Sequence, residues 1–177
     1  MNNLLSEEYR KVLEQEHASA PWGTVGWRLA PYVHDLVTQE KILSMLDYGA
    51  GRGSLGHWFD KNGPGLLERR EYEPGIPSLS LPPLAAELVT CIDVMEHIEP
   101  ESVKAVLDHI QVLAQRWVYF NISVRPAAKI LQDGRNAHLT IQPVDWWRVQ
   151  LKKRWSEQTF IEDPVTQSFN WVGSFRP

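Results

Sequence analysis

The sequence predicts an α/β fold of three layers, in which helices cover both faces of a doubly wound, mainly parallel sheet. Three apolar runs lead to this prediction: one at 42–46, which is followed by a carboxylate and three alternating glycines, one at 88–92 and one at 117–123. Continuous apolar runs of this length are typical of strands that are buried on both faces. Segments with apolar residues at helical spacing separate the runs, which indicates that strands and helices alternate.

Two helices are predicted before the first strand. The first covers the polar segment 6–17 and ends at the turn residues of 18–26. The second has Pro31 close to its start, where proline is tolerated, and one apolar stripe of four residues: Leu29, Val33, Leu36 and Val37. At this length we expect a single domain, with residues 1–40 as a helical cap or flap and residues 41–177 as the core.

The loop Asp47-Tyr48-Gly49-Ala50-Gly51-Arg52-Gly53 follows the first predicted strand and is the most informative stretch of the chain. Alternating glycines allow a ligand to lie against bare backbone, and the helix beyond them offers unpaired N–H groups. We expect the strand to end near Leu46, so that Asp47 stands at its tip. A carboxylate there suits a positively charged ligand and repels a pyrophosphate. The sequence Gly51-x-Gly53-x-x-Gly56 matches the dinucleotide-binding fingerprint, but it is weaker evidence for a dinucleotide, because it begins too far from the strand end.

Acidic residues follow two later strands. Glu73 comes after the second predicted strand, at 67–72, where doubly wound folds place an acid that binds ribose hydroxyls. The strand at 87–92 leads into Asp93 and then into a Glu96-His97 pair. The ordered combination of the glycine loop with these two segments resembles the class I S-adenosylmethionine-dependent methyltransferases, in particular compact members from bacteria and phages.

This resemblance implies a Rossmann-like methyltransferase sheet and S-adenosylmethionine as the cofactor, which carries an ammonium and a sulfonium and no phosphate. It also implies a set of cofactor-binding residues, with Trp22 in a flap that closes over the cofactor: Asp47, Tyr48, Gly49, Ala50, Gly51, Glu73, Pro74, Asp93, Val94 and Trp22. Usual members have a helix, a strand and another helix after the second strand. Here residues 74–86 contain four prolines. We therefore expect the second helix to be lost and the third strand to be vestigial or absent.

The remaining pattern predicts the elements that complete the sheet. Glu99-Pro100 marks the start of a helix, because proline is accepted in the first helical turn. The elements expected after it are a strand at 117–123, a short helix around 127–131, a helix at 143–155 and an antiparallel pair of strands at 157–161 and 169–175.

Two histidines are the candidate catalytic residues. The resemblance places His97 toward the acceptor, and His138 lies in a polar loop after the strand at 117–123, where substrate loops are common. A neutral imidazole can accept a proton from a hydroxyl or an amine acceptor. For each histidine a purely structural hydrogen bond is the alternative. No metal site is predicted.

The composition is ordinary for a soluble globular protein, with 43% hydrophobic and 23% charged residues. The single cysteine, Cys91, cannot form an internal disulfide, and no apolar run reaches the length of a membrane span, so we expect a cytoplasmic protein. A net charge of −4 disfavours broad capture of a nucleic acid backbone. The base-gripping motif of DNA amino-methyltransferases is missing as well, because Asp93-Val94-Met95-Glu96 occupies its place.

A small-molecule acceptor that is methylated on oxygen or nitrogen is therefore the favoured interpretation. Arg125 and Arg135 could bind an anionic group of this acceptor, and surface ion pairs are the alternative for both. Four other functions stay open: a nucleotide or nucleic-acid methyltransferase, an NAD-type oxidoreductase, a non-catalytic cofactor-binding protein, and transfer of another group such as aminopropyl. The sequence also leaves a homodimer open.

Overall fold

The computed structural model describes residues 4–19, 23–63 and 68–175. Its helices are α1 (Glu7–Ser19), α2 (Val25–Glu40), α3 (Ser54–Asn62), α4 (Val103–Leu113) and α5 (Val144–Lys152). Its strands are β1 (Ser44–Tyr48), β2 (Glu68–Tyr72), β3 (Ala86–Ile92), β4 (Ala114–Ser123), β5 (Ser156–Asp163) and β6 (Ser168–Ser174). Single turns of 3-10 helix lie at Pro77–Leu79 and Met95–His97. None of the described helices has the length and apolar character that crossing a bilayer requires.

The six strands form one sheet in the order β2-β1-β3-β4-β6-β5. Strands β1 to β4 are parallel, and β6 runs antiparallel between β4 and β5, as predicted for the last two strands. The carboxyl ends of the four parallel strands therefore meet at one edge of the sheet. In open α/β sheets this edge carries the ligand-binding crevice.

Helices cover both faces of the sheet. Successive residues of a strand point to opposite faces, and Met45 and Leu46 of β1 accordingly belong to two separate apolar clusters. Met45 packs with α2 and α3, through residues such as Val33 and Phe59. Leu46 belongs to the cluster that contains α4 and α5, with residues such as Ile110. The predicted three-layer α/β fold is thus confirmed.

A third, smaller apolar cluster lies apart from the sheet. Leu5, Tyr9 and Leu13 from the N-terminal segment pack there with Leu131 and Ala137 of the loop between β4 and α5. We call this cluster the cap core. Helix α2 instead packs on the sheet, so the boundary near residue 40 between a cap and a core stays a prediction.

The first strand ends later than the predicted position at Leu46. Asp47 and Tyr48 belong to β1, because both pair with β2 and Asp47 also pairs with Thr90 on β3. Gly49 follows the strand directly. The glycine loop therefore begins at the strand end itself.

Helix α4 begins at Val103 and not at the predicted Glu99. The Glu99 carboxylate accepts hydrogen bonds from the backbone N–H of Ser6, at 2.9 Å, and from its hydroxyl, at 2.7 Å. Residues 99–102 form a turn, which the N–H of Ser102 closes on the Glu99 carbonyl at 2.8 Å. In α2, Pro31 lies in the second turn rather than at the start, on the exposed side of the helix, where water can reach the freed carbonyl.

The short helix predicted around 127–131 does not form. The side chain of Asn136 holds Ala127 instead: its Oδ1 accepts from the Ala127 N–H at 3.0 Å, and its Nδ2 donates to the Ala127 carbonyl at 2.8 Å. Asparagine side chains that bind backbone groups in this way compete with helix formation.

The connection from β2 to β3 is short. Residues 73–85 contain no strand and no α-helix, and a single 3-10 turn at Pro77–Leu79 is their one regular element. The N–H of Glu73 donates to the Leu79 carbonyl at 3.1 Å, which folds the segment back on itself.

Candidate functional site

The loop after β1 lies against the segment after β3. Gly49, Gly51 and Gly53 have φ angles of 78°, 54° and 71°, in the left-handed region that favours glycine. The N–H of Gly49 donates to the carbonyl of Tyr72 at 2.8 Å, and this bond folds the loop over the end of β2. A Cβ atom on Gly49 would stand 2.4 Å from Cγ2 of Val94. The glycine at position 49 is thus what allows the loop to pack this closely against Val94.

Glu73 connects the glycine loop to the end of β2. Its side chain is buried, and its Oε2 accepts from the N–H of Gly51 at 3.2 Å. Its Oε1 accepts from the N–H of Gly75 at 2.9 Å and lies 3.6 Å from Nε2 of His17 on α1. An acid at the end of the second strand is where the sequence predicted the ribose-binding carboxylate.

These parts enclose a cavity at the carboxyl edge of the sheet. Three of its walls come from the glycine loop, from Glu73 and from the segment after β3, and helix α1 supplies a fourth. The described lining residues are Tyr9, Leu13, His17, Gly23, Gly49, Gly51, Glu73, Asp93, Val94, His97 and Ile98. We call this the cofactor cavity, because its position and its predicted residues fit the cofactor that the sequence implies.

Several predicted cofactor-binding residues are not among the described lining of this cavity. Tyr48 is buried, and its hydroxyl forms a hydrogen bond of 2.9 Å with Nδ1 of His109 on α4. Ala50 is buried below the loop, and Pro74 is partly buried. Trp22 lies outside the described residues. Their roles in cofactor binding stay predictions.

Asp47 lies inside the sheet and not at a strand tip. Its Oδ1 accepts a hydrogen bond from the hydroxyl of Thr90 at 2.9 Å, and the residue is only 6% exposed. Burial raises the pKa of Asp47 to about 7, with smaller contributions from the charges of Glu71 and Glu73. The carboxyl is therefore largely protonated below neutral pH, so it presents no full negative charge there.

The two candidate catalytic histidines meet each other. His97 follows β3 and lies with its Nδ1 2.7 Å from the carbonyl of Ala137, and His138 lies with its Nδ1 2.5 Å from the carbonyl of Arg125. A carbonyl only accepts, so both Nδ1 atoms donate and each neutral ring keeps its lone pair on Nε2. Burial lowers the pKa of His97 to about 4, which keeps this ring neutral at pH 7.

Asp93 stands beside both histidines in a strained backbone conformation. Its φ angle is 60°, and its N–H donates to the Asn121 carbonyl at 3.0 Å. Non-glycine residues in this region cost about 1–3 kcal/mol and concentrate at functional sites. Glu96, fully buried behind Asp93, accepts from the N–H of Ser123 at 2.6 Å. Burial and the charge of Asp93 raise the pKa of Glu96 well above its usual value, which favours its protonated form.

Asp93, His97 and His138 form a set of side chains that could hold a divalent cation. One ligand atom from each lies within 4.8 Å of the others. Two imidazoles and a carboxylate suit Zn²⁺, Mn²⁺ and Fe²⁺, and a carbonyl that accepts from the other ring nitrogen is the usual way to orient such histidines. The sequence did not predict this site, because His138 reaches the other two only through the fold.

A second cavity, of about 310 Å³, adjoins the cofactor cavity. Asp93 and His97 line both cavities, and His138 lines the second. Its lining also carries three basic side chains: Arg28, Arg125 and Lys129. We call this the acceptor cavity.

The two arginines that the sequence singled out lie in different surroundings. Arg125 lines the acceptor cavity, and its Nε donates to the carbonyl of Thr166 at 3.0 Å. Arg135 lies elsewhere: its Nη2 is 2.7 Å from Oδ2 of Asp133, and its guanidinium lies over the ring of Tyr9 at 5.0 Å. For Arg135 the structure therefore shows the alternative to anion binding, an ion pair with Asp133.

Sequence reasoning missed Tyr9, Leu13 and Arg28 as site residues. A signal existed for the first two: Tyr9, Leu13 and His17 recur at intervals of four in a predicted helix, so they share one face. No pattern marks Arg28, which is one of several charged residues in its segment.

No family model matches the chain, and no curated protein matches it either. Solved structures do share its fold. A 1,6-didemethyltoxoflavin-N1-methyltransferase from Burkholderia thailandensis, with S-adenosylhomocysteine bound, has a TM-score of 0.67 at 15% identity, over 96% of this chain and 90% of that one. An O-methyltransferase family protein from the same organism has a TM-score of 0.60 at 12% identity, over 84% of this chain and 57% of that one.

The small RNA methyltransferase HEN1 is similar as well. Its TM-score is 0.64 at 11% identity, and the alignment covers 90% of this chain and 26% of that one. This chain therefore spans little more than half of the O-methyltransferase family protein and about a quarter of HEN1. At such identities the likeness concerns the fold, and the two acceptors that are named, 1,6-didemethyltoxoflavin and small RNA, differ from each other.

Proposed function

This chain has the fold of the class I S-adenosylmethionine-dependent methyltransferases, and from that premise we propose that it transfers a methyl group from S-adenosylmethionine to a small-molecule acceptor. The acceptor atom is an oxygen or a nitrogen. The glycine loop, Glu73 and the segment after β3 hold the cofactor. The acceptor occupies the second, basic cavity.

One observation carries this proposal: Asp93 and His97 line both cavities, and His138 lies beside them. An acceptor in the second cavity therefore presents its reacting atom to this cluster. The methyl group of a cofactor in the first cavity approaches from the other side. Such an arrangement supplies the alignment on which an in-line displacement depends.

A hydroxyl acceptor must lose its proton before or as it attacks the methyl carbon. The new O–C bond forms as the C–S bond of the sulfonium breaks, and S-adenosylhomocysteine leaves. Nε2 of His138 accepts the proton from the hydroxyl directly, beside His97, whose lowered pKa makes it the weaker base. Alternatively, Asp93 and the two histidines would hold a divalent cation, which would lower the pKa of the hydroxyl so that its proton is released to water. Both routes draw on side chains of this one cluster.

A hydroxyl of a nucleotide or of an RNA is the second candidate acceptor. Arg28 and Arg125 around the acceptor cavity favour it, because guanidinium groups bind phosphate. The likeness to a small RNA methyltransferase points the same way. This candidate keeps the cofactor and the reacting cluster and changes only the acceptor.

The test is methyl incorporation from a labelled donor into panels of small hydroxyl and amine compounds, nucleotides and short RNAs. We expect incorporation by the wild type, its loss in His138→Gln and its retention in His57→Gln, which changes an exposed histidine of α3. A chelator separates the two routes, since it abolishes only the cation-dependent one. Incorporation that survives in both His138→Gln and His97→Gln would contradict the role of the cluster. Thermal protection by NAD and none by S-adenosylhomocysteine would contradict the cofactor.

A further inference from the structure

The hydroxyl of Tyr9 is a buried polar group for which the described part of the chain offers no hydrogen-bond partner. Tyr9 is 1% exposed, and its Oη has no hydrogen-bond partner among the residues that the structure describes. Leaving a hydroxyl unpaired in the interior costs on the order of 1–3 kcal/mol. Buried hydroxyls are therefore nearly always paired, and an exception calls for a partner that arrives later.

The surroundings of the ring do not need the hydroxyl. Leu5, Leu13, Leu131 and Ala137, all apolar, pack with Tyr9 in the cap core, and the Arg135 guanidinium lies over the face of the ring at 5.0 Å, where it contacts the ring and not the hydroxyl. A phenylalanine would fill the same space with no unsatisfied group. Packing therefore explains the ring but not the oxygen atom.

Tyr9 also lines the cofactor cavity, on the face of α1 that carries Leu13 and His17. Across the cavity lie Gly49, Gly51 and Glu73, the residues that the sequence assigned to the cofactor. Burial raises the pKa of Tyr9, which keeps the hydroxyl protonated at neutral pH. The protonated hydroxyl can accept as well as donate, and it is its unpaired proton that calls for an acceptor atom.

We infer that Tyr9 is a cofactor-binding residue, whose hydroxyl donates a hydrogen bond to an acceptor oxygen of the bound cofactor. The inference rests on the proposed cofactor, S-adenosylmethionine. That molecule offers two kinds of acceptor oxygen, the ribose oxygens and the carboxylate of its amino-acid part. Helix α1 in this way supplies a polar contact from outside the sheet, which the glycine loop and Glu73 do not provide.

Calorimetric titration of Tyr9→Phe with S-adenosylhomocysteine tests the inference. We expect the dissociation constant to rise about 3- to 10-fold, which is the usual worth of one hydrogen bond. The melting temperature of the ligand-free variant should stay equal or rise, because the change removes an unpaired hydroxyl and keeps the ring. Tyr32→Phe is the matched control, since Tyr32 is 59% exposed on α2, and it should leave the dissociation constant unchanged.

A parallel titration with 5′-methylthioadenosine, which lacks the amino-acid part, identifies the oxygen. A loss of affinity for both compounds assigns the ribose, and a loss for S-adenosylhomocysteine alone assigns the carboxylate. Equal affinities of the wild type and Tyr9→Phe for both compounds would overturn the inference and leave the proposed function standing. Absence of S-adenosylhomocysteine binding by the wild type would overturn both.

Discussion

The imidazole rings of His97 and His138 meet edge to face, with their centres 4.8 Å apart. The two rings come from different loops, one after β3 and one after β4. His97 donates to the carbonyl of Ala137, the residue next to His138, so each histidine helps to fix the position of the other. The two rings thereby lie together beside Asp93, with one ligand atom of each residue within 4.8 Å of the others.

Titration with Mn²⁺ should detect a cation site at this cluster. We expect Asp93→Asn to weaken binding at least tenfold, because a charged ligand is replaced by a neutral one. Asparagine tolerates the left-handed backbone of this position, so the loop should keep its shape. Glu101→Gln makes the same change of charge at an exposed site and should leave the affinity unchanged. Equal Mn²⁺ affinity in Asp93→Asn and the wild type would contradict a cation site there.

The raised pKa of Asp47 should appear in the pH dependence of stability. The pKa is about 7 in the folded state, against an ordinary value of 3.8, so between these values the folded state binds more protons than the unfolded state. The contribution of Asp47 to the free energy of unfolding therefore falls as pH rises from about 4 to about 7, and is constant above that. Urea unfolding of the wild type and of Asp47→Asn across this range measures it. We expect the stability of the wild type to fall relative to the variant as pH rises. Parallel curves would show that Asp47 titrates normally.

A methyl group at Gly49 should be far more costly than one at Gly134. Both glycines have left-handed backbone, with φ angles of 78° and 86°, so alanine costs each about 1–2 kcal/mol of backbone strain. A Cβ at 49 also meets Val94, whereas a Cβ at 134 meets nothing within 4 Å. Urea unfolding should rank Gly49→Ala below Gly134→Ala in stability, and S-adenosylhomocysteine affinity should fall only in Gly49→Ala. Partial rescue of stability by Val94→Ala would identify the clash as the cause, and equal destabilisation by both alanines would contradict it.

Replacing Asn136 should slow methyl transfer to the acceptor and leave the affinity for the cofactor unchanged. Its side chain binds both backbone groups of Ala127 and accepts from the N–H of His138 at 2.9 Å. We expect Asn136→Ala to cost about 1–3 kcal/mol of stability through lost hydrogen bonds and to slow methyl transfer, with S-adenosylhomocysteine affinity unchanged. Gln132→Ala changes an exposed side chain of the same loop and should have neither effect. A loss of cofactor affinity in Asn136→Ala would show that the loop serves the cofactor cavity instead.

The sequence predicted those parts of the fold that depend on local patterns. Apolar runs identified the three central parallel strands β1, β3 and β4. Glu73 follows β2 directly, as the sequence predicted. The end of β1 was wrong, because Asp47 and Tyr48 continue the strand through pairing with neighbours that are distant in the chain.

The candidate site was harder to predict for the same reason. The meeting of His138 with Asp93 and His97 depends on where the loop after β4 folds, and side-chain bonds of Asn136 decide that. The lining role of Tyr9 depends on where α1 docks. No local pattern in the sequence contains either piece of information.

The cap core has a consequence for how ligands enter and leave. Buried Glu16 of α1 accepts from the N–H of Gln132 at 3.0 Å and pairs with Lys129 at 2.6 Å, so the helix and the loop are joined by polar bonds as well as by apolar packing. Helix α1 lines the cofactor cavity and the loop after β4 lines the acceptor cavity, so the two are coupled and should move together. Movement of α1 together with this loop opens both cavities at once. We therefore expect release of S-adenosylhomocysteine and release of the methylated product to share one kinetic barrier.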